Sequence, residues 1–117
     1  MTRSEQASQL HKNGCNCCQA VVLAYVDKLG MDVDTAKRMA STFGRGISGL
    51  REVCGCVSGM AMVCGLTENG EFAKGLAEKF RASNGDLNCG KLLQMGKKPC
   101  NEMVAEAAGL LQEVVDE

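Results

Sequence analysis

Apolar residues recur every three or four positions along most of the chain, as in Val21, Val22, Tyr25 and Leu29. That spacing places them on one face of a helix, whereas a half-buried strand alternates apolar and polar residues, and no segment sustains such alternation. Glycine- and asparagine-rich turns interrupt the helical pattern. We therefore predict an all-α fold, a compact bundle of about five main helices plus one or two short ones.

The predicted helices lie between these turns, at approximately residues 3–12, 17–29, 33–43, 52–66, 70–83, 89–95 and 100–115. The last one is amphipathic and is expected to lie across the others. Its apolar stripe consists of Met103, Val104, Ala107, Leu110, Leu111 and Val114. No linker, repeat or low-complexity tract divides the chain, so residues 1–117 are expected to form a single domain.

The charge pattern offers no partner. The formal net charge is -1, and neither sign gathers into a long block, so we expect neither nucleic acid nor an anionic membrane surface to bind. The polar start, "MTRSEQASQLHKNG", lacks the apolar core of a secretory signal, and no apolar run is long enough to span a bilayer. We expect no membrane insertion and predict a cytoplasmic protein.

Eight cysteines in a cytoplasmic chain indicate metal binding or redox chemistry, because the cytosol keeps ordinary thiols reduced. Asn16 and Asn88 are typical N-cap residues, and Pro99 is a natural stop before a new helix. Four cysteines therefore fall in predicted first turns, namely Cys17, Cys54, Cys89 and Cys100.

A helix N-terminus favours thiolate over thiol, and thiolate is the form that binds metal or attacks a disulfide. We expect the four first-turn cysteines to converge at one site, as ligands of an iron–sulfur cluster or as redox-active thiols. Gly55 and Gly59 weaken the start of a helix at this point. They would let a cofactor or a neighbouring backbone approach closely.

The other four cysteines have different surroundings in the sequence. Cys56 and Cys64 fall near one face with Met60 and Val63 between them, which is typical of a core stripe. Cys15 and Cys18 crowd around the first quartet member and are spare ligands or bystanders.

At these residues the sequence resembles the redox-active family named for its cysteine pattern, C_GCAxxG_C_C. The matching segments span residues 14–111 and read "NCCQAV", "FGRGISG" followed by "EVCGCVSGM", "NCGKLL" and "PCNEMVAEAAGLL". The resemblance places the family's four cysteines on Cys17, Cys54, Cys89 and Cys100 and its CGAxxG element on residues 54–59. Cys56 stands where the family pattern has alanine. The resemblance implies a redox role without naming a substrate.

Other motifs are weaker. "GRGISG" fits G-x-G-x-x-G, but a dinucleotide site needs a preceding strand, so we interpret residues 44–49 as a flexible turn, with Arg45 and Arg51 able to attract an anion. No two members of the quartet form a C-x-x-C pair, which counts against a four-thiolate zinc site and a thioredoxin-type site built from them. The single histidine, His11, lies in a polar helix and is expected to be solvated.

The leading hypothesis is a redox protein in which the quartet either ligates an iron–sulfur centre for electron transfer or cycles between dithiol and disulfide. We favour the cluster, because the best disulfide pair, Cys89 with Cys100, leaves two members unexplained. Whether the protein is an enzyme or an electron carrier stays open. The alternative is a structural or zinc-stapled interaction module without redox chemistry. The expected partner is a redox protein of unknown identity, and a homodimer is compatible with a small helical domain.

Overall fold

A computed structural model describes residues 1–116 of the chain. They form seven α-helices: α1 (Arg3–Lys12), α2 (Cys17–Leu23), α3 (Val33–Ala40), α4 (Gly55–Leu66), α5 (Ala73–Asn84), α6 (Cys89–Met95) and α7 (Cys100–Val115). Short 3₁₀ turns cover Val26–Lys28 and Gly70–Phe72. Within residues 1–116, β structure is limited to one antiparallel bridge between Val53 and Asn88. The all-α prediction is confirmed.

Five predicted helix starts are confirmed, those of α1, α2, α3, α6 and α7. Three of them, at the candidate cysteines, have the following local causes. The side chain of Asn16 accepts a hydrogen bond from the backbone N–H of Gln19 at 2.8 Å and caps α2. Asn88 caps α6 in the same way, accepting from the N–H of Lys91 at 3.0 Å. Pro99 is the N-cap of α7. The two asparagine side chains satisfy N–H groups that a helix start leaves unpaired, whereas Pro99 makes no side-chain capping bond.

Four predicted boundaries are wrong. The helix predicted at 70–83 begins at Ala73, after the 3₁₀ turn Gly70–Phe72. The helix predicted at 17–29 ends at Leu23, beyond which the backbone leaves helical geometry and Tyr25 is buried with its hydroxyl donating to the carbonyl of Ala108 at 2.7 Å. The helix predicted at 33–43 ends at Ala40. The helix predicted at 52–66 begins at residue 55, so Cys54 is its extended N-cap rather than a first-turn residue. A bond between the N–H of Cys54 and the distant carbonyl of Leu87 accounts for the last difference.

The core lies between α2, α4 and α7, with α1 packed along α7 and α5 closing the other side of α4. Its largest fully buried side chains include Tyr25, Met60, Phe80 and Leu111. The predicted stripe of α7 is buried at Met103, Val104, Ala107 and Leu111 and half-buried at Leu110 and Val114. No helix within residues 1–116 has both the length and the apolar character needed to cross a membrane.

Candidate thiol site

A cavity of about 300 Å³ lies where the starts of α2, α4, α6 and α7 meet. All four members of the predicted quartet line it: Cys17, Cys54, Cys89 and Cys100. Cys15 also lines the cavity. All eight cysteines in residues 1–116 are free thiols. Thiols that are up to 85 positions apart along the chain therefore line the same cavity.

Two backbone hydrogen bonds hold the starts of α4 and α6 side by side. The N–H of Cys54 donates to the carbonyl of Leu87 at 2.8 Å, and the N–H of Cys89 donates to the carbonyl of Glu52 at 2.6 Å. The antiparallel bridge of residues 53 and 88 lies between these bonds. Main-chain hydrogen bonds thus set the relative position of Cys54 and Cys89, independently of the conformation of their side chains.

The thiol of Cys56 is fully buried and interacts with both Cys17 and Cys54. These hydrogen bonds and burial raise the pKa of Cys56 far above its ordinary value, so it stays protonated and can donate to either neighbour. The hydrogen bond from Cys56 lowers the pKa of Cys54 to about 7, and the backbone N–H groups of Cys56 and Val57 add to that effect. The same donor lowers the pKa of Cys17 in spite of its burial.

Cys100 has the opposite protonation preference. Burial raises the pKa of its thiol, and the charges that develop on Cys17, Cys54 and Cys89 raise it further. Its thiol also hydrogen-bonds to that of Cys17. The cavity therefore combines two thiols that ionise easily, Cys17 and Cys54, with one that holds its proton.

The expectation that His11 is solvated is wrong. The imidazole is half-buried in the cavity wall, where Nε2 lies 4.0 Å from Sγ of Cys17 and Nδ1 lies 3.1 Å from Nδ2 of Asn101. Asn101 lies 90 positions away on α7, and Cys17, six positions along, is the first residue of a different helix, α2. The periodicity of α1 alone does not reveal either contact, because both depend on how α1 packs against its neighbours.

The loop before α4 carries two arginines to the cavity. Arg45 and Arg51 both line it, and Nη1 of Arg51 donates to Sγ of Cys89 at 3.6 Å. Arg45, Ile47 and Ser48 have φ values of 55°, 67° and 52°, in the left-handed region that side chains rarely adopt. The loop therefore has a strained backbone conformation. It brings to the cavity the two arginines that the sequence analysis named as able to attract an anion.

The sequence pattern of one family, described as "Putative redox-active protein (C_GCAxxG_C_C)", matches residues 15–114. The chain belongs to the C_GCAxxG_C_C family. The family description supplies a redox role and leaves the mechanism open. No curated protein and no solved structure matches the chain.

In this member of the C_GCAxxG_C_C family, the four cysteines outside the quartet are of two kinds. Cys15 and Cys56 lie beside the quartet, whereas Cys18 and Cys64 are core residues. Cys64 is fully buried in the core, as predicted, and burial raises its pKa. Cys18 is also fully buried, and burial raises its pKa to about 12. Cys56 is buried, as the sequence predicted. Its contacts with Cys17 and Cys54 were not predicted.

Gly55 and Gly59 allow α4 to approach α2. A Cβ at Gly55 would lie 3.0 Å from the backbone nitrogen of Cys18, and one at Gly59 would lie 2.9 Å from Cβ of Val21. Of the two explanations left open by the sequence, close approach of a neighbouring backbone is the one that the structure shows. Gly55 also lines the cavity, whereas Gly59 faces α2.

The expected metal role of the quartet can be compared with the placement of its sulfurs. Within residues 1–116, no group of three or more His, Cys, Asp or Glu side chains is arranged to hold a metal ion. This finding concerns a single metal ion, so ligation of an iron–sulfur cluster by the quartet stays a prediction. The mechanism proposed below uses the thiols alone.

Proposed function

We propose that the chain is a thiol–disulfide redox protein in which Cys54 is the attacking thiol and Cys17 the resolving thiol. The observation that carries this proposal is the shared neighbour: the protonated thiol of Cys56 lies beside both sulfurs, and a hydrogen bond from it to either one lowers the pKa of that thiol. Thiolate is the nucleophile in exchange, and the best attacking thiol has a pKa near the ambient pH. A pKa of about 7 for Cys54 meets that condition.

The reaction transfers two electrons from the protein to a substrate disulfide. The thiolate of Cys54 attacks one sulfur of the substrate, the substrate S–S bond breaks, and the first substrate thiolate leaves and takes a proton from water. The thiolate of Cys17 then attacks Sγ of Cys54 and releases the second substrate thiolate, which is protonated in the same way. The protein ends with a Cys17–Cys54 disulfide, which a cellular thiol or dithiol reductant returns to two thiols.

The cavity suits a small substrate. A volume of about 300 Å³ equals that of roughly ten water molecules in the liquid, enough for the reacting part of a small disulfide or for an exposed cystine loop of a protein. Arg45 and Arg51 give the wall positive charge, which stabilises the thiolates that form at each step. The reducing cytoplasm would keep the resting thiols in the free state.

Mild oxidation with a small disulfide such as bis(2-hydroxyethyl) disulfide tests the proposal. We expect the titratable thiols to fall by two and peptide mapping by mass spectrometry to identify a Cys17–Cys54 bridge. Cys54→Ser should abolish this loss of thiols, whereas the control Cys64→Ser, inside the helix that Cys54 caps, should keep it. A bridge confined to Cys15, Cys18, Cys56 and Cys64 would overturn the proposal.

Two further results count against this assignment. A disulfide between Cys89 and Cys100 would mean that the redox-active pair is the one that the sequence analysis named as the best disulfide pair. Protein purified without oxygen that contains stoichiometric iron and absorbs in the visible range would replace disulfide cycling with cluster ligation by the same quartet.

A further inference from the structure

The imidazole of His11 faces the resolving thiol. Nε2 lies 4.0 Å from Sγ of Cys17, within reach of a hydrogen bond to sulfur. The opposite ring nitrogen, Nδ1, lies 3.1 Å from Nδ2 of Asn101, in the first turn of α7. The ring therefore bridges a reacting sulfur and a carboxamide from a different helix.

The carboxamide of Asn101 is held in one orientation by Ser8. Its Nδ2 donates to the backbone carbonyl of Ser8 at 3.1 Å, and its Oδ1 accepts from the hydroxyl of Ser8 at 2.8 Å. The amino group is thus fixed toward His11. Because an amino group can only donate, Nδ1 must accept and carries no proton. The ring proton is on Nε2, the nitrogen that faces Cys17.

This tautomer decides what the ring can do. Nε2–H can donate to the sulfur but cannot take a proton from it. A proton on Nδ1 would point at the amino group of Asn101, which disfavours the imidazolium form. Burial also lowers the pKa of His11 below its ordinary value, so the ring is neutral at pH 7. A Cys–His ion pair with the imidazole as base is inconsistent with this arrangement.

We propose that His11 stabilises the thiolate of Cys17 through a hydrogen bond from Nε2–H, with Asn101 as the positioning residue that fixes the ring tautomer. The proposal rests on the thiol–disulfide function proposed above and specifies its second step. Cys17 gives its proton to solvent before it attacks the mixed disulfide. His11 keeps its own proton throughout, donates to the attacking sulfur, and neither gains nor loses charge.

Other groups also act on Cys17 and must stay constant in a test. The thiols of Cys54, Cys56 and Cys100 interact with it, and Arg45 and Arg51 line the same cavity. Substitutions at residue 11 leave all five unchanged. Leucine removes the donor, whereas glutamine places a neutral N–H near the position of Nε2.

The rate of Cys17 alkylation by iodoacetamide, followed by peptide mapping from pH 5 to 9, measures its thiolate population. In the fully reduced chain, we expect His11→Leu to slow this reaction at neutral pH about tenfold. His11→Gln should stay within about threefold of the unsubstituted chain. Gln9→Leu, at an exposed position of α1, controls for leucine on this helix, and thermal melting verifies that each variant folds.

Equal rates in all variants would overturn the proposal, because the donor would then have no effect. Equal losses in His11→Leu and His11→Gln would overturn it in favour of a proton-accepting imidazole. Because His11 is the sole histidine, ¹⁵N NMR of its ring gives a second readout. A proton on Nε2 alone at pH 7 is expected, and an Nδ1–H or imidazolium signal would contradict the proposal. Both measurements use reduced protein without any disulfide substrate, so failure of disulfide cycling would not affect them.

Discussion

The backbone N–H of Cys54 donates to the carbonyl oxygen of Leu87 at 2.8 Å and ties the start of α4 to the turn before α6. The thiol of Cys54 takes no part in this bond. A backbone hydrogen bond thus positions the residue that carries the reactive sulfur, and this bond does not depend on the side chain. Substitution of the thiol should therefore change redox reactivity much more than stability.

We expect Cys54→Ser to remove thiol exchange and to lower the free energy of unfolding by less than about 1.5 kcal/mol, within the range of ordinary substitutions. Cys64→Ser should show the reverse, with exchange retained and a larger loss of stability, because it buries a hydroxyl in the apolar core. Urea denaturation and oxidation by a small disulfide measure the two effects. A Cys54→Ser variant that loses stability and keeps its redox titration would instead indicate a purely structural module.

The ionisation of Cys54 should make the stability of the reduced protein depend on pH. Its pKa is about 7 in the folded state, against about 8.5 for a free cysteine. Between these values the unfolded chain binds more protons, so the free energy of unfolding rises with pH and the gain is lost as pH falls through 7. The difference corresponds to at most about 2 kcal/mol.

Denaturation of the reduced chain and of Cys54→Ser at several pH values from 6 to 8 measures this contribution as the difference between the two. The raised pKa values of Cys18, Cys56, Cys64 and Cys100 add an opposite slope, but it is present in both chains. The stability advantage of the unsubstituted chain over Cys54→Ser should grow as pH rises through 7. An advantage that shrinks with pH would mean that burial outweighs the hydrogen bond from Cys56 and that Cys54 is a poor nucleophile at neutral pH.

Cys56 stands where the family pattern has alanine, and Cys56→Ala restores that residue. Loss of the shared donor should raise the pKa of Cys54 by about one unit and slow its alkylation at pH 7 about fivefold. Cys56→Ser should retain part of the effect, because a hydroxyl can also donate. Cys64→Ala is the matched control, since it removes a fully buried thiol from the same helix. An unchanged pH midpoint for Cys54 in Cys56→Ala would show that the backbone N–H groups suffice.

Local signals allowed much of this fold to be predicted. Asn16, Asn88 and Pro99 cap or stop helices through contacts within a few residues, so the starts of α2, α6 and α7 could be predicted correctly. Cys17, Cys89 and Cys100 are the first residues of these helices, which supported the expectation that their thiols share one site. The same signals say nothing about which sulfurs are adjacent, which depends on how α2 packs against α4.

The errors lie where distant residues decide the structure. Cys54 is an N-cap because its N–H bonds to the carbonyl of Leu87, and His11 is half-buried because α1 packs where Asn101 of α7 contacts its ring. Periodicity along one segment contains no information about such partners. The left-handed backbone conformation at Ile47 could not be predicted from the sequence either, because β-branched residues normally disfavour that conformation.

The close approach of α4 to α2 depends on Gly59, where an added Cβ would lie 2.9 Å from Cβ of Val21. Gly59→Ala should lower the free energy of unfolding by about 1–3 kcal/mol through overpacking, although alanine is the better helix former. Gly65→Ala is the matched control on the same helix. Its added Cβ has no neighbour within 4 Å, so the substitution should be stabilising by up to about 1 kcal/mol. Urea denaturation measures both changes.

Because α2 begins at Cys17, a displaced α2 should also weaken the contact between Cys17 and Cys56 and slow Cys17 alkylation at neutral pH. Equal stabilisation by the two alanines would show that the helices separate at no cost and that glycine at position 59 is not needed for packing.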